Sequence, residues 1–504
     1  MPEVSEKLAN SLAALMSLQN NGVVAVKSDM LERADRERLI KNGFIKEVLR
    51  GWYIPSSPSE TSGDSTSWYA SFWDFCSAYL DERLDRNWCL SPEQSAQIHI
   101  GDRTVPVQLL VRSPKGRNKP TELIHGTSVL DIKQDLPPND YLTEVDGIRV
   151  YTVGASLAFC AKRSFITQPM LMRTLLSVVK DASEVLEVLL AENKIASASR
   201  LAGAFRSIGR DVIADSIVKG MDVIEAKIVE TNPFEDGLQV DFGRRELSPY
   251  VNRMRLMWSA LREDIIKHFP APSEQQVDIA EYLNDVDDIF VTDAYHSLSI
   301  EGYRVTPDLI EYVRSGQWNP EHSKESQKHL DAMAAKGYWD AFQKVKEAVA
   351  KVLDGANPGE VLERVQADWY FALFGQSVAA GILEAKALAG YRTSPVYIRR
   401  SMHTPPNKDA VRDMMPVFYD LIMEEEHPAV RLVLGHFIFV YIHPYMDGNG
   451  RMGRFIMNLM AAAGAYPWIV VPVERREEYM EALESASVGG DIVPFTRFIG
   501  SLIR

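Results

Sequence analysis

The sequence predicts a multidomain, mainly α-helical protein in which a small helix-and-hairpin unit precedes a mixed α/β middle region and an all-α C-terminal half. Three observations carry that prediction. Apolar residues recur at helical spacing through almost all of the chain after residue 168, and alternating apolar runs are concentrated before it. Between the first unit and the rest, Pro55 to Ser67 (PSSPSETSGDSTS) is a Ser/Thr/Pro run without apolar anchors. A length of 504 residues allows roughly two to four domains at about 150 residues each.

Composition narrows the class. A hydrophobic fraction of 46% with 25% charged residues is that of an ordinary folded protein, and it excludes disorder, collagen-like structure and a disulfide scaffold. Fifty-five Lys+Arg against 69 Asp+Glu leave a formal charge of −14, which opposes a general nucleic-acid coat or a membrane-surface role and leaves room only for local basic patches. Cys76, Cys89 and Cys160 show no C-x-x-C spacing and read as reduced, buried thiols. The opening MPEVSEKLANSL is acidic where a signal peptide would be basic. The longest apolar stretch, Phe455 to Val473, is interrupted by Asn458, Gly464 and Pro467. A cytoplasmic protein without a membrane span is expected.

Within residues 1–54, Leu8, Leu12, Leu15, Met16 and Leu18 give one apolar helical face, and Leu31, Ala34, Leu39 and Ile40 a second. After Asn42-Gly43, the segment FIKEVLRGWYIP holds two short strand-like pieces joined at Arg50-Gly51. Helix, turn, helix, hairpin is the order of a winged helix-turn-helix. Lys27 to Arg50 carry seven Lys/Arg and five Asp/Glu, a net of only +2, so DNA binding and plain protein contact both stay open. The turn Lys41-Asn42-Gly43-Phe44 and the piece Arg50-Gly51-Trp52-Tyr53 resemble the N-terminal domain of AbiEi-type antitoxins and related regulators. Residues 55–67 are the expected linker.

Residues 68–230 read as a mixed α/β and then helical middle region, similar to the middle part of the same proteins. Ile98, Ile100, Val105, Val107 and Leu109 alternate around Gly101-Asp102 and suggest strands. Asp146-Gly147 between Leu142/Val145 and Ile148/Val150/Tyr151 is a hairpin signal. Leu171, Leu175, Val178 and Val179 open the helical part, and Leu201 to Met221 reads as two short helices broken at Gly209. No catalytic constellation is visible here. Residues 231–504 are helical throughout, except for a short hairpin expected around Tyr391, Val396 and Ile398 near Pro395.

One segment carries chemistry: His443-Pro444-Tyr445-Met446-Asp447-Gly448-Asn449-Gly450-Arg451-Met452-Gly453-Arg454. The apolar run Val430 to Ile442 delivers His443 onto a loop, and Gly448-Asn449-Gly450 opens a second apolar helix, Phe455 to Ala463. Glycines at a helix N-terminus let the backbone approach a ligand, and the free N–H groups with the helix dipole form an anion nest. Arg451 and Arg454, three apart on the first turns, add two guanidiniums suited to a polyphosphate. Asp447 is out of place beside a phosphate unless it holds Mg²⁺. His443 at the rim is placed to take a proton from an incoming hydroxyl, the geometry of attack on a bound nucleotide phosphate.

This dodecamer resembles the active-site signature of Fic-domain proteins, H-x-F-x-[DE]-G-N-G-R-x-x-R, with Tyr445 in place of the Phe. About forty residues earlier, Ala389-Gly390-Tyr391-Arg392, Val396, Ile398, His403 and Pro405-Pro406 are similar to the family's flap, a hairpin that holds the target segment as an added strand. The resemblance spans residues 231–504, with the flap at 389–406 and the active-site loop at 443–454. It implies that His443 is the general base and Asp447 the Mg²⁺ ligand. It further implies that Gly448, Asn449 and Gly450 cradle the α- and β-phosphates, that Arg451 assists the β-phosphate, and that Arg454 grips the γ-phosphate. ATP would then be the co-substrate and AMP the transferred group, with a protein Ser, Thr or Tyr hydroxyl as acceptor, on a partner or on the protein itself. Relatives that phosphorylate carry Lys in place of the second glycine; here that position is Gly450, which favours adenylylation. Nothing in the motif reads the base, so UMP transfer stays open. Tyr479 stands where the family often has an aromatic near the base, and equally reads as a core aromatic. A homodimer is implied by the resemblance alone.

Upstream, Ser297-Leu298-Ser299-Ile300-Glu301-Gly302 fits the family's inhibitory pattern [ST]-x-x-x-E-[GN]. Ser297 and Glu301 are i and i+4 on one helix face within about 285–302, and Gly302 suits the helix end. The resemblance implies that Glu301 binds Arg454 and withholds it from ATP. It lies in an acidic stretch, His268 to Tyr303, with eight Asp/Glu and no Lys/Arg, whereas Arg392 to Arg412 carries five Lys/Arg against one Asp. Two function classes follow: a self-inhibited protein adenylyltransferase, or a DNA-binding, antitoxin-like regulator whose Fic domain senses a nucleotide.

Overall fold

Turn residues and apolar faces set the first layer. The helices Val4–Asn20 and Arg33–Lys41 pack through Leu15 and Leu39, with Leu31 from the turn between them, onto a three-stranded antiparallel sheet. In that sheet Trp52–Pro55 lies between Val26–Lys27 and Ile45–Leu49. The structure, a computed structural model, describes residues 4–60, 64–238, 248–272, 277–318, 326–383, 388 and 390–503. By internal packing the chain divides into two units, Met1–Arg253 with Tyr397–Thr404, and Met254–Val396 with Pro405–Arg504.

In the first unit, Ala25, Val48 and Ile54 are buried in the same cluster as Trp68, Phe72, Phe75 and Cys76 of the helix Thr66–Leu84. The stretch 55–67 therefore joins two parts of one core. Asp64 within it is buried, accepts the Thr66 N–H at 3.0 Å and pairs with Arg399 at 3.0 Å. Residues 61–63 of the expected linker lie outside the described residues.

A mixed sheet follows, with the strands Cys89–Leu90, Gln108–Ser113, Ser128–Lys133 and Lys119–Glu122 in that order and a parallel central pair. The alternation from Ile98 to Val107 does not form paired strands, and only Leu109 falls in one. Ser91 accepts the Gln94 N–H and Pro92 sits at the first helical position, so Pro92–His99 is a helix and the strand begins at Gln108. The Asp146-Gly147 hairpin does form, both residues at positive φ, between Leu142–Val145 and Ile148–Tyr151. Helices from Val153 to Asp222 enclose a second apolar core, broken at Gly209 between Ile195–Ser207 and Asp211–Asp222. All three cysteines are free and buried.

The second unit is helical. Asp278, Thr306, Asn357 and Asn407 each accept a backbone N–H and so start the helices Ile279–Ile300, Pro307–Arg314, Pro358–Ala379 and Lys408–Glu424. At its centre are Pro428–Ile442 and Asn449–Ala463, whose side chains are almost all buried. Ser326–Leu353, Arg476–Ser487 and Val493–Gly500 are further helices of this unit. Among the described residues no helix is long and apolar enough to cross a membrane. The hairpin expected at 389–406 is also absent: residue 389 lies outside the described residues, and 390–406 contain no strand. Pro395, Pro405 and Pro406 offer no N–H to a ladder, and the Arg392 N–H is taken by the Pro444 carbonyl at 2.8 Å.

Candidate active site

The helix Pro428–Ile442 ends in His443, which stands at φ 52, ψ 59. This left-handed conformation costs a non-glycine residue about 1–2 kcal/mol and must be held by its surroundings. The His443 Nδ1–H donates to the Val440 carbonyl at 3.2 Å, which leaves Nε2 as the proton acceptor. Burial pushes the imidazole down to about 4, and Arg392 acts in the same direction. The Val440 carbonyl, Glu301 and Asp447 offset this only in part. The imidazole is therefore neutral at pH 7.

The loop after His443 is closed by its own side chains. Asn449 accepts the Tyr445 N–H at 2.9 Å and donates to the Tyr445 carbonyl at 2.8 Å, so its amide is used within the loop and only its backbone is left for a ligand. Tyr445 stacks on Tyr370, ring centroids 3.8 Å apart, and its hydroxyl receives a hydrogen bond from Gln366. Gln366 in turn accepts from Tyr419, whose hydroxyl meets that of Tyr391 at 3.1 Å. The phenol that replaces the family's Phe is thus part of a buried hydroxyl network.

Gly448, at φ 80, caps the helix Asn449–Ala463, and a Cβ there would stand 2.8 Å from the Phe374 ring. The first helical bond runs from Met452 N to Gly448 O, so the N–H groups of residues 449–451 precede the ladder and point at whatever anion lies over the helix end. In this structure that anion is Glu301. A Cβ built on Gly450 would be 2.3 Å from Glu301 Oε1. Arg454, buried one turn on, donates to Glu301 Oε1 at 2.7 Å, to Ser297 Oγ at 2.9 Å and to the Ser297 carbonyl at 3.1 Å. Burial opposes the Glu301 charge, but Arg454 and then Arg451 outweigh it and hold the carboxyl below its ordinary range. Glu301 caps the helix Ile279–Ile300, and Gly302 follows at φ 92.

Arg451 is buried between the rings of Tyr303 (5.3 Å) and Phe374 (5.0 Å), with Asp447 Oδ2 3.7 Å from its Nη2. Asp447 is 66% exposed in its side chain, and its Oδ1 accepts the Gly448 N–H. An exposed carboxylate at the mouth of a phosphate nest fits Mg²⁺, which takes few protein ligands and completes its shell with phosphate oxygens and water.

The structure therefore brings His443, Asp447, Gly448, Asn449, Gly450, Arg451, Arg454, Ser297 and Glu301 together. The flap residues are arranged otherwise. Arg392, expected to face a docked target, is 2% exposed and turned into the protein, where its side chain bonds backbone carbonyls. Tyr391 belongs to the hydroxyl network, and Val396 and Ile398 are half-buried in irregular chain. Tyr479 packs as a core aromatic on Phe495 and Phe498, its hydroxyl 2.7 Å from His436 Nε2. Sequence reasoning missed Tyr303, Phe374 and Gln366. Tyr303, two residues past Glu301, was open to notice; the others lie on a helix with no local signal.

An imidazole on a left-handed helix end stands beside a glycine-opened helix N-terminus with two buried arginines, an arrangement suited to binding an anion. Residues 368–461 match the Fic/DOC family. It is 35% identical to Protein adenylyltransferase Fic of Nematostella vectensis over 113 residues, 22% of this chain and 26% of that one. Over 113 residues it is 36% identical to the protein of the same name in Drosophila willistoni, 22% of each chain. The chain thus covers about a quarter of the length of these curated relatives. Among solved structures, a fragment of Fic-1 from C. elegans is similar at 16% identity and a TM-score of 0.36, over 66% of this chain and 89% of that one.

Proposed function

We propose that the protein is a self-inhibited protein adenylyltransferase that moves AMP from ATP to a Ser, Thr or Tyr hydroxyl of a protein, itself included. The observation that carries this reading is a neutral imidazole with Nε2 free, beside a helix N-terminus flanked by two buried arginines. ATP phosphates would replace the Glu301 carboxylate over Gly450, with Arg454 on the γ-phosphate and Arg451 toward the β-phosphate. The acceptor oxygen then bonds the α-phosphorus as the bond to the β-phosphate oxygen breaks. His443 Nε2 takes the hydroxyl proton, and pyrophosphate leaves. Mg²⁺ on Asp447 and phosphate oxygens would neutralise charge on the leaving group.

In the resting state the carboxylate occupies the nest, so turnover requires its displacement. The helix–strand–helix–hairpin order of residues 4–55 supports a winged helix-turn-helix, which we assign to target choice or to DNA. The test is label transfer from ATP labelled at the α-phosphate, comparing the full-length protein with Glu301→Gly and with Glu301→Gly/His443→Ala. Strong labelling by the first variant and none by the second is the expected pattern. Labelling that survives loss of His443 would remove its assigned role.

A further inference from the structure

We propose that Arg392 is a positioning residue for the base, a buried clamp that fixes the backbone turn on which His443 is presented. The inference rests on His443 being the base, as assigned above, and deepens that reading.

Five contacts carry it. The Arg392 Nε donates to the His443 carbonyl at 2.8 Å. Its Nη2 donates to the carbonyls of Pro406 and, at 3.5 Å, of Ile442, and its Nη1 to that of Ser394 at 3.4 Å. Its backbone N–H donates to the Pro444 carbonyl at 2.8 Å. Ile442 and His443 carry helix-end carbonyls that the helix itself leaves unbonded, and they bear the negative end of its dipole. One planar guanidinium reaches three separate stretches of chain: 394, 406 and 442–443. A lysine ammonium, a single point with three donors, has no such fork. The clamp sits on the residue whose left-handed φ needs external support, so loosening it frees the His443 ring to leave its Val440 bond.

Charge acts in the same place. Every acceptor that these side-chain bonds reach is a carbonyl oxygen. Burial pulls the guanidinium down only to about 10, so it stays charged at neutral pH. The charged groups that bear on the imidazole are Arg392 from its own segment, Glu301 from the end of Ile279–Ile300 and Asp447 from the loop. Of these, only Arg392 disfavours protonation.

The experiment places Arg392→Lys and Arg392→Gln in full-length Glu301→Gly protein and reads two quantities. The first is kcat and KM for ATP in label transfer. A fall of about 100-fold in kcat with KM within about twofold is expected for Gln, since small displacements of a catalytic group cost rates of that order. The second is the His443 titration and tautomer by NMR on histidine-labelled protein without nucleotide. In Arg392→Gln the Nδ1–H tautomer should be lost and the titration should shift measurably from about 4, while burial keeps it below the ordinary range. Arg392→Lys should keep most of the depressed titration and recover little kcat, because it restores the charge and not the fork.

An unchanged kcat together with an unchanged titration in Arg392→Gln overturns the proposal. If Arg392→Gln fails to fold, Arg392→Lys decides: full kcat there also overturns it. If the parent transfers no label, the base assignment fails, and the NMR arm still tests the clamp.

Discussion

Glu301 Oε1 lies 2.7 Å from Arg454 Nη2 and directly over Gly450, at the N-terminus of the helix that carries both Arg451 and Arg454. One carboxylate thus satisfies a buried guanidinium and fills an anion nest. The side chain is 30% exposed, at the edge of solvent, where a stronger anion can exchange for it. A triphosphate meets both demands with more charge, so the proposed inhibition would be a competition between anions.

Glu301→Gly removes the competitor and leaves the nest intact. AMP transfer should rise at least about tenfold, the factor that corresponds to roughly 1.4 kcal/mol of differential binding. Ser297→Ala, which removes only the 2.9 Å bond to Arg454 Nε, should release less, about fivefold for about 1 kcal/mol. Initial rates of label transfer rank the two. A Ser297 variant faster than the Glu301 variant would shift the inhibitory role away from the carboxylate.

The pH dependence follows from two depressed groups. Glu301 is held below the ordinary carboxyl range, so its ion pair is complete above that range and is lost only as pH falls through the lowered value. Mild acid should therefore not activate the wild-type protein. His443 is pushed to about 4, so the base stays unprotonated well below the ordinary imidazole value of about 6.5. In Glu301→Gly, kcat/KM should hold steady from neutral pH to about 5.5 and then decline toward the His443 value. An acid limb centred near 6.5 in that variant would contradict a buried neutral imidazole.

Local patterns carried the site, and tertiary contacts carried what the sequence hid. The Gly448-Asn449-Gly450 opening, the Arg451/Arg454 spacing and the Ser297/Glu301 pair are each complete within a few residues, so their geometry could be read directly. Arg392 looked like part of a basic docking flap because nothing in its neighbours announces that 394, 406 and 442–443 converge on it. Ile98 to Val107 alternate like strand residues, but the Ser91-Pro92 helix start places Ile98 in a helix. The prolines at 395, 405 and 406 leave the flap segment without the N–H groups that a hairpin ladder needs.

Gly450 tests the anion exchange itself. Its added Cβ would stand 2.3 Å from Glu301 Oε1, inside the space that a phosphate oxygen must enter. Gly450→Ala in the Glu301→Gly background should raise KM for ATP by about tenfold or more while the protein keeps its unfolding midpoint. Calorimetric titration with ATP separates this from a general loss of structure. Unchanged ATP affinity would show that the phosphates bind elsewhere.

Tyr445 separates stability from chemistry. Its ring stacks on Tyr370 and its hydroxyl accepts from the buried Gln366, which also accepts from Tyr419. Tyr445→Phe keeps the ring, restores the signature residue and leaves one Gln366 N–H without its acceptor. An unsatisfied buried donor costs about 1–3 kcal/mol, so the denaturation midpoint should fall accordingly. The loop is still tied by the two Asn449 bonds to the Tyr445 backbone, so kcat of Glu301→Gly/Tyr445→Phe should stay within about twofold of Glu301→Gly. A large drop in kcat without loss of stability would move the Tyr445 hydroxyl from the scaffold into the positioning of His443.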